Sequence, residues 1–224
     1  MLFALCALIV GWPARAQETK SDPHPYGSGA GVEILLTNSG FGLGGYDKRA
    51  VSPSLSVVGE MNLSAGKDES EGAFFNRFGQ RFIRGKANYL LMVPARIGLQ
   101  KRLFRRRIEP NFRPFVQVSA GPTVGYVYPY FEDENGNDRY DGNSVDTRHD
   151  VFSGLLKGHV RMGAGVLVAV GAHFGWSQKN TRGVRIGYRF DYFPEGVQLL
   201  EPAENDAQRF LGSPTIAVRF GRVF

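Results

Sequence analysis

Across 224 residues the chain is 42% hydrophobic and 21% charged, with a formal net charge of +6 at neutral pH. That apolar share excludes general disorder, and the length suits one domain or two small ones. No segment approaches the ~18 uninterrupted apolar residues of a membrane-spanning helix, so membrane insertion here would have to use strands.

Residues 1–16 read as a signal peptide. The stretch 2–10 is apolar apart from Cys6, Gly11-Trp12-Pro13 follows, and Ala14-Arg15-Ala16 has the small-x-small form of a signal-peptidase site. Cys6 is the sole cysteine and lies in the part removed, which leaves the mature chain neither a disulfide nor a cysteine nucleophile. Residues 17–28, with Pro23, Pro25 and Gly27, read as a flexible periplasmic leader, and 29–224 as one folded unit.

From there the dominant signal is alternation with period two, which in a strand sends successive side chains to opposite faces. In 30–38, Val32, Ile34 and Leu36 oppose Glu33 and Thr37. Segment 41–51 is the weakest, because Gly44-Gly45 interrupts the pattern and predicts a bulge. In 54–66, Leu55, Val57, Met61 and Leu63 oppose Ser56, Glu60, Asn62 and Ser64, and in 87–104, Tyr89, Leu91, Val93, Ala95, Ile97 and Leu99 oppose Arg96, Gly98 and Gln100. In 113–130 the apolar set runs from Val116 to Tyr128, with Pro122 demanding an edge or a bulge. The segment 152–176 places Val160, Met162, Val166, Val168, Val170 and Phe174 against Arg161, Gly163, Gly165 and His173. Segments 182–193 and 215–224 close the series, with Arg185, Arg189, Asp191 and Arg219 on the polar side.

Eight such strands make an even, closable set. Their connections alternate between short ones (52–53, 105–112, 177–181) and stretches of about twenty residues (67–86, 131–151, 194–214), as in bacterial outer-membrane barrels, with only the first loop, around Ser39-Gly40, short where a long one is expected. The predicted fold is therefore all-β, an eight-stranded antiparallel up-and-down transmembrane β-barrel. Its apolar face meets lipid, with aromatics near strand ends as interfacial girdles. Its polar face makes a lumen charge network of Glu33, Glu60, Arg96, Arg161, Arg185, Arg189, Asp191 and Arg219. Eight strands leave an interior just filled by side chains, which predicts a plugged lumen. The excess of Arg over acid leaves a role for an anion or ordered water open. A soluble lipocalin-like barrel has the same period, but with residues such as Val166 and Val184 lining a cavity.

The end of the chain, Arg219-Phe220-Gly221-Arg222-Val223-Phe224, resembles the C-terminal signal by which the barrel-assembly machinery recognises its substrates, with Phe220 and Phe224 as its apolar positions. With the eight strands this makes the chain similar to the outer-membrane β-barrel domain superfamily. The pieces 86–90 and 112–122 look like those of uncharacterised envelope proteins of that class. The resemblance implies this fold and the outer membrane of a Gram-negative bacterium; contact with its lipid and lipopolysaccharide, as a monomer, is the accompanying expectation. It brings no catalytic residue.

Other chemistry is sparse. Residues 133–142 place oxygen side chains at calcium-loop spacing, with Asp133, Asn135, Asn137 and Asp141 as ligands of a Ca²⁺ ion, but Asp138 replaces the turn glycine and Ser144 the bidentate Glu. A solvated, turn-rich loop is the simpler reading, and no cofactor is expected. Arg77, Arg81 and Arg84, with Phe74, Phe75, Phe78 and Phe82 between them, suit packing over the barrel mouth or against lipopolysaccharide phosphates. Histidines 159 and 173 fall on the inward parity, away from any lipid substrate. The basic run 101–107 closes a strand and forms no helical face, and exported proteins rarely meet nucleic acid. The expected role is a non-enzymatic structural or surface-interaction protein, then a small transport or sensor pore, then an envelope lipid-modifying enzyme.

Overall fold

A computed structural model describes residues 27–68, 71, 73–75, 81–83, 85–104, 111–132, 147–149, 154–175, 180–201 and 207–224. The expected signal peptide, most of the leader, and the loop carrying Asp133, Asn135, Asn137 and Asp141 lie outside these residues.

The alternating segments form eight long strands: β1 (Gly29–Thr37), β2 (Gly40–Ala50), β3 (Leu55–Gly66), β4 (Asn88–Arg102), β5 (Phe112–Pro129), β6 (His159–Phe174), β7 (Asn180–Val197) and β8 (Gln208–Val223). Each pairs antiparallel with its neighbours in sequence, and β8 pairs with β1, which closes the barrel. Cα partners followed once round from Ala30 are Asp47, Gly59, Ile97, Ala120, Val166, Phe190 and Gly212. Gly212 falls opposite position 40 of β1's register instead of 30, a stagger of ten residues. Staggers of this kind go with strands tilted ~35–45° from the barrel axis. Two short hairpins stand at the end where the long connections emerge, one of 73–75 with 81–83 and one of 131–132 with 147–148. We call this the loop end and the opposite rim, which carries Gly29 and Val223, the turn end.

Two expectations about irregularity need correction. The Gly44-Gly45 pair makes no bulge, since β2 keeps one register with β1 and one with β3. Gly44 is needed because a Cβ there would run into the Asn62 side chain across the strand pair. Pro122 sits at neither an edge nor a register shift. The β4–β5 ladder skips Ala95 and Arg96, opposite Pro122 and Gly121, and resumes in register, because proline simply withholds one donor. The irregularity lies elsewhere, between Tyr192 and Val197 in the β7–β8 pairing, where Gly196 takes φ +71°. That bend lets β7 run on to Val197 and β8 begin at Gln208, both beyond the segments expected. The sixth strand starts at His159, later than expected, because Gly154–Lys157 forms a 3-10 turn.

The apolar face points outward. Val32, Ile34, Leu43, Leu63, Ile97, Val118, Val168 and Ile186 are all exposed on the barrel surface, and so are Val166 and Val184, which a soluble lipocalin-like barrel would turn inside. Outward aromatics gather at both ends: Phe112 against Phe174 at the turn end, Tyr192 against Phe210 at the loop end. Burying apolar surface from water is worth ~25 cal/mol per Å², so in water this exterior would forfeit most of the fold's driving force. In hydrocarbon it forfeits nothing, and closure satisfies the strands' backbone groups between neighbours. This is the architecture of an outer-membrane barrel.

Candidate functional site

Alternation places Glu33 of β1, Glu60 of β3, Arg185 of β7 and Arg219 of β8 at similar depth inside the barrel. All four are almost wholly buried. Arg185 donates from Nη1 to Glu60 Oε2 at 2.5 Å and from Nη2 to Glu33 Oε1 at 3.1 Å. Arg219 donates from Nε to Glu33 Oε2 at 2.7 Å and from Nη2 to Glu60 Oε2 at 3.0 Å. Gln117 Nε2 and Ser119 Oγ, both on β5, each donate to Glu60 at 3.0 Å. Two acids and two guanidiniums make a neutral square that ties together walls distant in sequence, the arrangement in which buried charge is tolerable. The Tyr46 ring lies 4.8 Å from the Arg219 guanidinium and closes one side.

Towards the loop end comes a second cluster. Arg96 Nη2 donates to Asp191 Oδ1 at 2.6 Å, and so does Thr123 Oγ1 at 2.6 Å. Arg189 Nε lies 3.1 Å from Asp191 Oδ2, close enough for charge attraction but too misaligned for a hydrogen bond. Its Nη1 donates to Ser64 Oγ at 2.8 Å. Arg161, expected within the network, stands apart from it. It occupies the loop-end rim, only two residues into β6, and pairs with Glu195.

Sequence reasoning missed what lies above these clusters. Leu90, Met92, Val127, Phe193, Val197, Leu199 and Leu211 form a buried apolar layer across the loop end of the lumen. A Cβ on Gly125 would reach the Phe193 ring at 2.9 Å and one on Gly163 at 2.8 Å, so these glycines make room for it. The signal was present in the inward parity of β4 and β7, where polar residues give way to Leu90, Met92 and Phe193.

At the loop-end mouth, Lys86 Nζ donates to Glu71 Oε1 at 2.8 Å and lies 4.8 Å from the Tyr89 ring, which stacks on Tyr128 at 5.1 Å and meets Tyr130 edge-on at 5.3 Å. These residues border an open groove of about 620 Å³ that also touches Asn38, Ser39 and Gly66. Further out, Lys157 donates to Glu132 at 2.7 Å, and this bond and charge hold the Glu132 carboxyl below the usual carboxylate range.

The remaining expected residues fall as follows. Phe220 points outward from β8, and Phe224 is exposed at the turn end, its amide donating to the Ser28 carbonyl at 2.9 Å beside the Arg49 guanidinium. His173 is buried in the lumen, with Nε2 3.1 Å from the Gln100 amide nitrogen and its ring stacked on Phe115. His159 is exposed at the loop-end rim. Among the described residues no group of three or more His, Cys, Asp or Glu side chains gathers as a metal site.

No family model and no curated protein matches the chain. Solved structures do. Neisserial surface protein A, NspA, superposes with a TM-score of 0.42 at 11% identity, covering 88% of this chain and 96% of that one. Ail, the attachment invasion locus protein of Yersinia pestis, solved with the heparin analogue sucrose octasulfate, gives 0.41 at 8%, covering 87% and 95%. The N-terminal β-barrel domain of Pseudomonas aeruginosa OprF gives 0.40 at 10%, covering 87% and 96%.

Proposed function

We propose that this chain is an integral outer-membrane barrel that is sealed rather than conducting, acts without catalysis, and works through the surface it presents at its loop end. The observation that supports this reading is the side-chain packing inside the barrel. The square of Glu33, Glu60, Arg185 and Arg219 spans the interior from wall to wall, and the layer around Phe193 lies across the exit above it. An ion crossing would have to break charge-assisted bonds and then pass a desolvated apolar layer. The route to the membrane is export by residues 1–16 followed by assembly directed by Phe220 and Phe224. Monomeric insertion among lipid and lipopolysaccharide suits the belt of outward apolar residues.

On this reading the lumen is a scaffold, and interaction belongs to the groove beside Tyr89, Tyr128 and Tyr130. A cation and polar rims beside the half-buried rings of Tyr89 and Tyr130 favour surface contact, since such rings offer area at little entropic cost. Reconstitution into planar lipid bilayers tests the sealing. We expect membranes to stay at baseline while the same preparation shows the heat-dependent gel mobility of a closed barrel. Stable, unit-sized conductance steps from folded wild-type protein would overturn the sealed reading in favour of a small pore.

A further inference from the structure

We propose that the turn-end mouth of the barrel is a binding site for one small oxyanion of the phosphate or sulfate type. This site is separate from the loop-end groove and does not depend on whether the lumen conducts.

Below the neutral square the lumen changes character. Lys48 of β2, Arg102 at the end of β4 and Arg113 at the start of β5 converge on one cavity with His173. The register puts Arg113 directly opposite His173 across the β5–β6 pair. Ser52 and Ser54 of the β2–β3 connection and Thr181 of β7 add hydroxyls to the same wall. Among the described residues, no carboxylate lines this cavity. The nearest acids along the lumen, Glu33 and Glu60, already accept from both Arg185 and Arg219.

Three cations are thus held together within a narrow barrel, and Lys48 is only 9% exposed with no ion-pair partner among the described residues. A buried ammonium without a counter-charge is costly. A bound anion would supply that counter-charge. The donors are also of the right kind: guanidinium forks match the spacing of oxyanion oxygens, an ammonium supplies a point charge, and hydroxyls adjust to the remaining oxygens. Size narrows the class. The cavity holds about 40 Å³, above the ~10–15 Å³ that one water occupies on such a measure and suited to a tetrahedral ion rather than a nucleotide or a sugar ring. The chemistry is shared by free inorganic phosphate and by the phosphate of a soluble headgroup, so both enter the test.

The mature chain, refolded in a non-ionic detergent and verified by its heat-dependent gel mobility, is titrated calorimetrically with inorganic phosphate at constant ionic strength set by chloride. Saturable one-site binding is expected, weakened about tenfold in Lys48→Met by loss of a charge-assisted contact. Arg113→Lys keeps the charge but loses the fork, and should weaken binding severalfold, so the proposal remains testable should Lys48→Met not fold. Glycerol 3-phosphate distinguishes the sources: binding equal to that of phosphate admits a headgroup, and much weaker binding restricts the site to the free ion. Absence of saturable binding in this chloride background, or equal affinity in the folded variants, would overturn the proposal.

Discussion

Removing Glu60 is the sharpest test of how the lumen is held. In wild type its carboxylate accepts from Arg185 at 2.5 Å, Arg219 at 3.0 Å, Gln117 at 3.0 Å and Ser119 at 3.0 Å, all buried. Glu60→Ala leaves two guanidiniums facing Glu33 alone, so the square carries one uncompensated positive charge, and four donors, from Arg185, Arg219, Gln117 and Ser119, lose this acceptor. Breaking a buried pair by deleting one partner costs ~3–5 kcal/mol, most of it the stranded charge. The double variant Glu60→Ala with Arg185→Met restores neutrality and should recover part of that loss, giving, with the Arg185→Met single, a coupling energy of ~1–3 kcal/mol in a double-mutant cycle. Reversible urea unfolding in lipid vesicles, followed by the heat-dependent gel band and far-ultraviolet circular dichroism, measures both quantities. A Glu60→Ala barrel within ~0.5 kcal/mol of wild type, or a cycle with no coupling, would refute the argument that the square supports the barrel.

Three further outcomes follow from the same geometry. Val168 is exposed on the outer face at mid-strand, paired with Val118 and Tyr188, so Val168→Arg should lose ~2–4 kcal/mol of folding free energy in vesicles; unchanged stability would count against the lipid-facing assignment. Phe193 is fully buried in the apolar layer, and Phe193→Ala should cost ~3–5 kcal/mol by leaving a cavity, read as a lower urea midpoint. Glu132 and Lys157 pair in the open at the loop end. The depressed Glu132 carboxyl contributes stability above its unfolded titration range and loses it as pH falls through the lowered folded value. Solvent and salt screen so exposed a pair, so Lys157→Met should leave the neutral-pH urea midpoint unchanged.

The alternation of polar and apolar residues carried most of the architecture. Glu33 between Val32 and Ile34, or Arg185 between Val184 and Ile186, declares which side chains share a face, because strand geometry repeats every two residues whatever the strand packs against. Strand number, the inward set of charges and the outward belt were legible for that reason. Bends were not. Gly44-Gly45 looked like a bulge and is regular, whereas the true bend follows Tyr192, because a glycine in a strand marks either a kink or a close approach and only the partner strand decides which.

Parity names the face but not the height. Arg161 has the inward parity of Leu167 and His173, yet it ends on the rim with Glu195, whereas Arg96 meets Asp191 near the middle of the lumen. Depth follows from the stagger accumulated round the closed ring, which no single segment contains. The same stagger brings Arg185 to Glu33, 152 residues away in sequence, and sets Lys48, Arg102 and Arg113 on one cavity from separate strands. The sequence by itself therefore determined the strand period, the strand number and the side of the wall on which each residue stands, since these depend on local backbone geometry. Tertiary structure alone decided the depth and partner of every inward charge, because closing the ring is what aligns residues from different strands at one level.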